Sequence, residues 1–192
     1  MENVLNGIHD LSTKLSTDGN KDAAEAIMTT DIFSKECALR FSIGSSVITI
    51  GGMAKGSGMI APNMATMLAF VTTDAVIAPS ALQSALRIAN NHSFNRITVD
   101  GDMSTNDMLL VLANGLAKNE EILENTSAYH QFLTALEYVL IKLAKMIARD
   151  GAFLRCINFH YCNPSISFNP NMMFMFCTAC PAAPFIKLSI VE

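Results

Sequence analysis

Residues 51–74 read GGMAKGSGMIAPNMATMLAFVTTD, and two side chains in that stretch could do chemistry. Lys55 carries a positive charge among glycines at 52, 56 and 58, and Thr66 carries a hydroxyl among methionines and small residues. A threonine hydroxyl is a weak nucleophile at neutral pH and needs a base held beside it. One solution cuts the chain ahead of the threonine, so that its own freed α-amino group, with a reference pKa of about 7.7–8.0, takes the proton. Such a cut needs a glycine-permitted approach, a small residue before the threonine and a strand after it. Gly52, Gly56, Gly58, Pro62, Ala65 and the apolar run from Met67 supply these. Lys55 would then face a substrate carboxylate or a developing oxyanion.

Two other readings compete. Gly56-Ser-Gly58-Met-Ile-Ala61 matches G-x-G-x-x-A, with Asp74 further on, as in a dinucleotide fingerprint. That motif needs a helix after the glycines, and Pro62 falls where the helix should run. The segment to the next strand is also too short for a parallel crossover, which takes about a dozen residues. The remaining reading is a loop between two buried strands, with Thr66 placed for its β propensity. Pattern alone does not separate a loop threonine from a nucleophile.

The elements that must position these residues follow from periodicity. KDAAEAIM, residues 21–28, reads as helix. FSIGSSVITI, 41–50, reads as a strand or hairpin, MLAFVTT, 67–73, as a strand, and RITVD, 96–100, as another. Pro79 suits a first helical position, and ALQSALRIAN continues it. Ser104 stands three residues before Asp107, a capping-box-like pattern that reads as a helix start for MLLVLANGLA. Phe132, Leu136, Leu140, Leu143 and Ile147 recur at helical spacing on a long amphipathic helix from about Tyr129 to Arg149. The expected class is mixed α/β or α+β, a sheet packed against helices. No internal repeat is present.

Composition bounds the partners. The 192 residues carry a net charge of −4 with no basic run, which argues against nucleic acid. The start, MENVLNGIHD, lacks a basic region and a long apolar core, so it is no secretory signal, and no apolar run reaches the ~18 residues of a membrane helix. The expectation is a soluble cytoplasmic protein without membrane contact. Asp100, Asp102 and Asp107 suggest a calcium loop, but Gly101 is misplaced and Val111 stands where the bidentate glutamate belongs. They read as turn and cap residues. His92 and His130 read as surface or boundary histidines and Cys37 as a small buried filler.

KGSGMIAPNMATMLAF closely resembles the cleavage-site signature of the bifunctional ornithine acetyltransferase/N-acetylglutamate synthase family of arginine biosynthesis. EAIMTTD and FNRITVDGDMSTND resemble its flanking segments, in the same order, and the similarity covers roughly residues 1–151. The resemblance implies self-cleavage between Ala65 and Thr66. Thr66 would then take the acetyl group of N-acetylornithine as an ester and pass it to glutamate, a ping-pong scheme. Lys55 falls on the substrate-contacting lysine of the family motif, and Thr29 on a substrate-contacting threonine, with Thr30 the alternative one position on. No metal or organic cofactor is implied. The family's cleaved pieces associate and double into a heterotetramer. Whether acetyl-CoA also serves as donor is left open.

The chain departs from that family twice. The oxyanion-hole Thr-Gly of an upstream segment has no counterpart, and losing one such donor typically costs about 10²–10³ in rate. After IARDG the family continues E-G-A-T with a substrate-contacting glutamate, where this chain has Ala152. Residues 152–192 hold four of six prolines, six of eleven phenylalanines and only three charges, Arg155, Lys187 and Glu192. The expectation is a family-like core over 1–151, truncated at both ends, with an irregular or disordered frame-shifted tail that is no domain. Cys177-Thr-Ala-Cys180, with Cys156, Cys162 or His160, offers a weaker zinc reading, because it lacks two paired knuckles. With both flanks of the site missing, the expected acetyl transfer is impaired in this chain, weak or absent, and two rival functions remain. One is a non-catalytic remnant that binds intact family subunits, and the other an aminopeptidase-like hydrolase using the same N-terminal threonine.

Overall fold

The computed structural model describes residues 2–58, 67–99 and 107–159, of which 152–159 are described by backbone alone. Two short helices lead, α1 (Glu2–Ser12) and α2 (Asn20–Ala26). A hairpin follows, β1 (Lys35–Ile43) and β2 (Ser46–Lys55), turning through Gly44 at φ +59°. That positive φ is where a glycine is required. Next come β3 (Leu68–Thr73), α3 (Pro79–Asn91), a 3₁₀ turn at Phe94–Arg96, β4 (Met108–Ala113) and α4 (Ser127–Phe159).

The sheet order is β1-β2-β3-β4. The first two pairings are antiparallel, and β3 runs parallel to β4, joined by the crossover that contains α3. The antiparallel β2–β3 pairing agrees with the rejection of a dinucleotide fold on connection length. Helices α3 and α4 pack against each other, and α4 lies on β1 and β2. Ile48, Ile50 and Ala54 of β2, with Ala69, Val71, Leu109 and Val111, form the inner sheet face. Facing it, Phe132, Leu136, Leu140, Leu143 and Ile147 of α4 are fully buried, so the stripe expected from helical spacing is the one that packs. Gly52 lets α4 come close. A Cβ there would stand 3.1 Å from both Leu143 Cδ1 and Val71 Cγ2.

Several expectations need correction. MLLVLANGLA does not open a helix: Met108–Ala113 is strand β4. A short apolar run buried on a parallel pair looks the same as a buried helix segment in sequence, and strand pairing with β3 decides it. Asp107 caps no helix there; its Oδ1 accepts the N–H of Met67 at 2.8 Å and so ties the starts of the two parallel strands. RITVD does not add a strand over its described residues 96–99. The backbone at Ile97 is extended, at φ −109° and ψ 148°, but residues 97–99 join no ladder. Local β propensity there was real, but residues 97–99 enter no strand pairing among the described residues. The hairpin is longer than residues 41–50, and α4 continues as helical backbone to Phe159, past the break placed at Gly151. His92 lies at the surface as expected, where Glu137 of α4 pairs with it at 2.6 Å. Cys37 is only half buried.

Candidate functional site

The end of β2 and the turn after α2 meet. Lys55, the last residue of β2, is 7 % exposed and its Nζ donates to Thr29 Oγ1 at 3.2 Å. Thr29 itself lies at the surface. One residue on, Thr30 Oγ1 and Ser57 Oγ share a 2.8 Å hydrogen bond. The structure therefore brings Lys55 and Thr29 together and sets Thr30 against Ser57 instead. Between them Gly56 turns the chain at φ +147°, a conformation that side chains rarely adopt. Ala65 and Thr66 lie outside the described residues, as do Asp100, Asp102 and the cysteines from Cys162 onward.

Beneath this surface lies a buried charge cluster that sequence reasoning missed. Lys35 Nζ donates to Asp31 Oδ1 at 2.6 Å and to Asp150 Oδ2, and all three side chains are inaccessible to solvent. Asp31 Oδ1 also accepts the Gly56 N–H at 2.7 Å, and Oδ2 accepts the Thr29 N–H at 3.2 Å. Asp150, in the last third of α4, accepts the Ile32 N–H through both oxygens. Burial pushes the Asp31 carboxyl up. The hydrogen bonds from Gly56, Lys35 and Thr29, with the charge on Lys35, outweigh that and hold it below the ordinary carboxylate value.

A signal for this cluster was present. In β1 the inward positions are Lys35, Cys37, Leu39, Phe41 and Ile43, so a lysine occupies a core slot. In α4 the stripe Leu143, Ile147 leads on to Asp150 by helical spacing. A charge within a buried stripe demands a partner, and here each supplies the other's.

Chemically, a lysine ammonium sheltered under a threonine hydroxyl can bind one oxyanion, with Thr29 adding a hydroxyl contact. Lys55 has no carboxylate partner among the described residues. Among those residues there is also no group of three or more His, Cys, Asp or Glu able to hold a metal, and no helix long and apolar enough to cross a membrane.

The ArgJ family pattern matches residues 1–156. The arginine biosynthesis bifunctional protein ArgJ of Symbiobacterium thermophilum is 61 % identical over 151 residues, covering 79 % of this chain and 38 % of that protein. The protein of the same name from Bacillus subtilis is 54 % identical over 151 residues, covering 79 % and 37 %. The crystal structure of the Bacillus halodurans arginine biosynthesis bifunctional protein is 54 % identical over 43 % of this chain and 38 % of that one, at a TM-score of 0.41. The chain spans about 38 % of the length of the curated relatives it matches. With the family pattern matched along most of its length, the chain belongs to the ArgJ family.

Proposed function

We propose that this chain carries the nucleophile and carboxylate-binding part of an acetyltransferase that moves an acetyl group from N-acetylornithine to glutamate. The observation that carries the reading is Lys55: a lysine 7 % exposed whose ammonium, among the described residues, bonds one neutral hydroxyl, eleven residues before Thr66. Leaving a buried cation without a counter-charge is costly unless an anion arrives to neutralise it. An amino-acid carboxylate has the matching charge and geometry.

The chemistry starts with chain scission. The Thr66 hydroxyl attacks the Ala65 carbonyl, the peptide bond becomes an ester, and water releases the Ala65 carboxylate and a free Thr66 amine. That amine then draws the proton from Thr66 Oγ as Oγ attacks the acetyl carbonyl of N-acetylornithine. The tetrahedral adduct collapses, the proton passes to the departing nitrogen, and ornithine leaves an acetyl ester on Thr66. The α-amine of glutamate attacks the ester, N-acetylglutamate forms, and Oγ recovers its proton. Lys55 holds the carboxylate of each amino acid in turn, which orients the reacting nitrogen.

Intact-mass analysis of the purified chain tests the first step. Two fragments, 1–65 and 66–192, are expected, and Thr66→Ala should yield one uncut species. Acetyl transfer from N-acetylornithine to glutamate, set beside peptide hydrolysis, tests the second. A wild-type chain that stays whole rules out the N-terminal nucleophile.

One observation favours a second reading, binding to other ArgJ-family chains. Val4, Leu5, Ile8 and Leu11 of α1 are each 59–67 % exposed and lie on one helical stripe. Co-purification with a full-length relative would support it.

A further inference from the structure

We propose that Asp31, Lys35 and Asp150 act as one positioning unit for the Thr29–Lys55 pair, through which α4 sets the geometry of the site. The inference rests on the reading of Lys55 as a carboxylate contact.

A buried ion pair is weak evidence for stability, since apolar residues of similar volume often serve as well. The hydrogen bonds reveal a different role. Asp31 accepts the N–H of Thr29 and the N–H of Gly56, the residue that follows Lys55. One carboxylate thus fixes the backbone on both sides of the 3.2 Å Thr29–Lys55 contact, which no apolar side chain could do. Lys35 couples that carboxylate to Asp150. Asp150 in turn holds the Ile32 N–H, so the turn that presents Thr29 is pinned to α4 at its far end as well.

The next residue of α4 reaches the other arm. A Cβ on Gly151 would lie 2.3 Å from Val99 Cγ1 and 2.9 Å from the Ser57 carbonyl oxygen, so the helix backbone rests directly on Ser57. Ser57 is 2 % exposed and its hydroxyl bonds Thr30. Consecutive residues 150 and 151 therefore contact both chain segments that form the site. None of the three charged residues touches a bound amino acid in this scheme. They act through Thr29, Gly56 and Lys55.

The test uses the full chain, with N-acetyl-L-ornithine as probe followed by amide-resolved NMR, and amide hydrogen exchange at Thr29, Ile32 and Gly56. In Asp150→Asn, Lys35 keeps Asp31 and the side chain keeps its shape. Folded Asp150→Asn is expected to bind the probe about tenfold more weakly and to exchange Thr29 and Gly56 at least tenfold faster, although Asp150 contacts neither. Unchanged affinity in the folded variant, or exchange that rises equally at amides remote from the site, would overturn the proposal, because a merely structural residue lowers global stability without singling out Thr29 and Gly56 or weakening the folded chain's hold on the probe. If that variant does not fold, the wild type decides. Thr29, Ile32 and Gly56 opening with one common free energy supports a single unit, and three separate openings refute it. If the wild type ignores the probe and Lys55→Met changes nothing, the substrate reading falls, and exchange alone then judges the positioning unit.

Discussion

Lys35 and Lys55 sit one rung apart on paired strands, because Lys35 stands opposite Ala54, and both are buried. Their surroundings are opposite. Lys35 points to the inner face between two carboxylates. Lys55 points the other way and meets a threonine hydroxyl. A buried cation whose charge is fully answered from within belongs to the fold. One that meets a single neutral oxygen among the described residues is the one we propose to take an anion from outside. Burial by itself therefore does not separate the two lysines, and the accounting of partners does.

Exchanging each lysine for methionine breaks the comparison most directly. Lys35→Met leaves Asp31 and Asp150 buried together without their shared cation, a loss of about 3–5 kcal/mol. Urea unfolding should show it as a large fall in midpoint, or the chain should become insoluble. Lys55→Met should leave the unfolding midpoint near or above the wild-type value, and abolish binding of N-acetylornithine measured by titration. Equal destabilisation by both would erase the distinction.

A smaller effect is expected at the face that carries Lys35. Gly52→Ala puts a methyl 3.1 Å from Leu143 and Val71, an overpacking cost of about 1–3 kcal/mol. The same unfolding experiment should show it, with no change in probe affinity.

Acid sharpens the contrast further. The folded Asp31 carboxyl titrates below its ordinary value of 3.8, so its contribution is fully present above that value and is lost as pH falls toward the lower folded value. Stability of the wild type should therefore drop through the acid range more steeply than that of Asp31→Asn. Parallel profiles would mean that Asp31 is not held as described. The smallest effect belongs to Cys37, whose thiol is pushed up by burial, with Lys142 partly offsetting it. Alkylation of Cys37 near neutral pH, followed by peptide mapping, should be slower than for an exposed thiol.

Much of this organisation was legible in residue order. The α4 stripe, the glycine-bounded hairpin, the helix begun at Pro79 and the antiparallel link between β2 and β3 all follow from local spacing. Lys55 stood out by its charge among glycines and Thr29 through a resemblance, and they prove to touch. Strand β4 was misread as a helix, because a run apolar on both faces has no period to betray it. The extended Ile97 was misread as a sheet member, because a ladder needs a neighbour that local sequence cannot supply. The charge cluster went unseen, although Lys35 and Asp150 each interrupt a buried stripe.

Sequence alone settled family kinship and the apolar faces, since both depend on residues close along the chain. The tertiary structure decided which charges meet. Asp31, Lys35 and Asp150 span about 120 positions, and only packing α4 across β1 and β2 places one ammonium between two carboxylates. Electrostatic pairing acts over a few ångströms in space, and separation along the chain does not determine it.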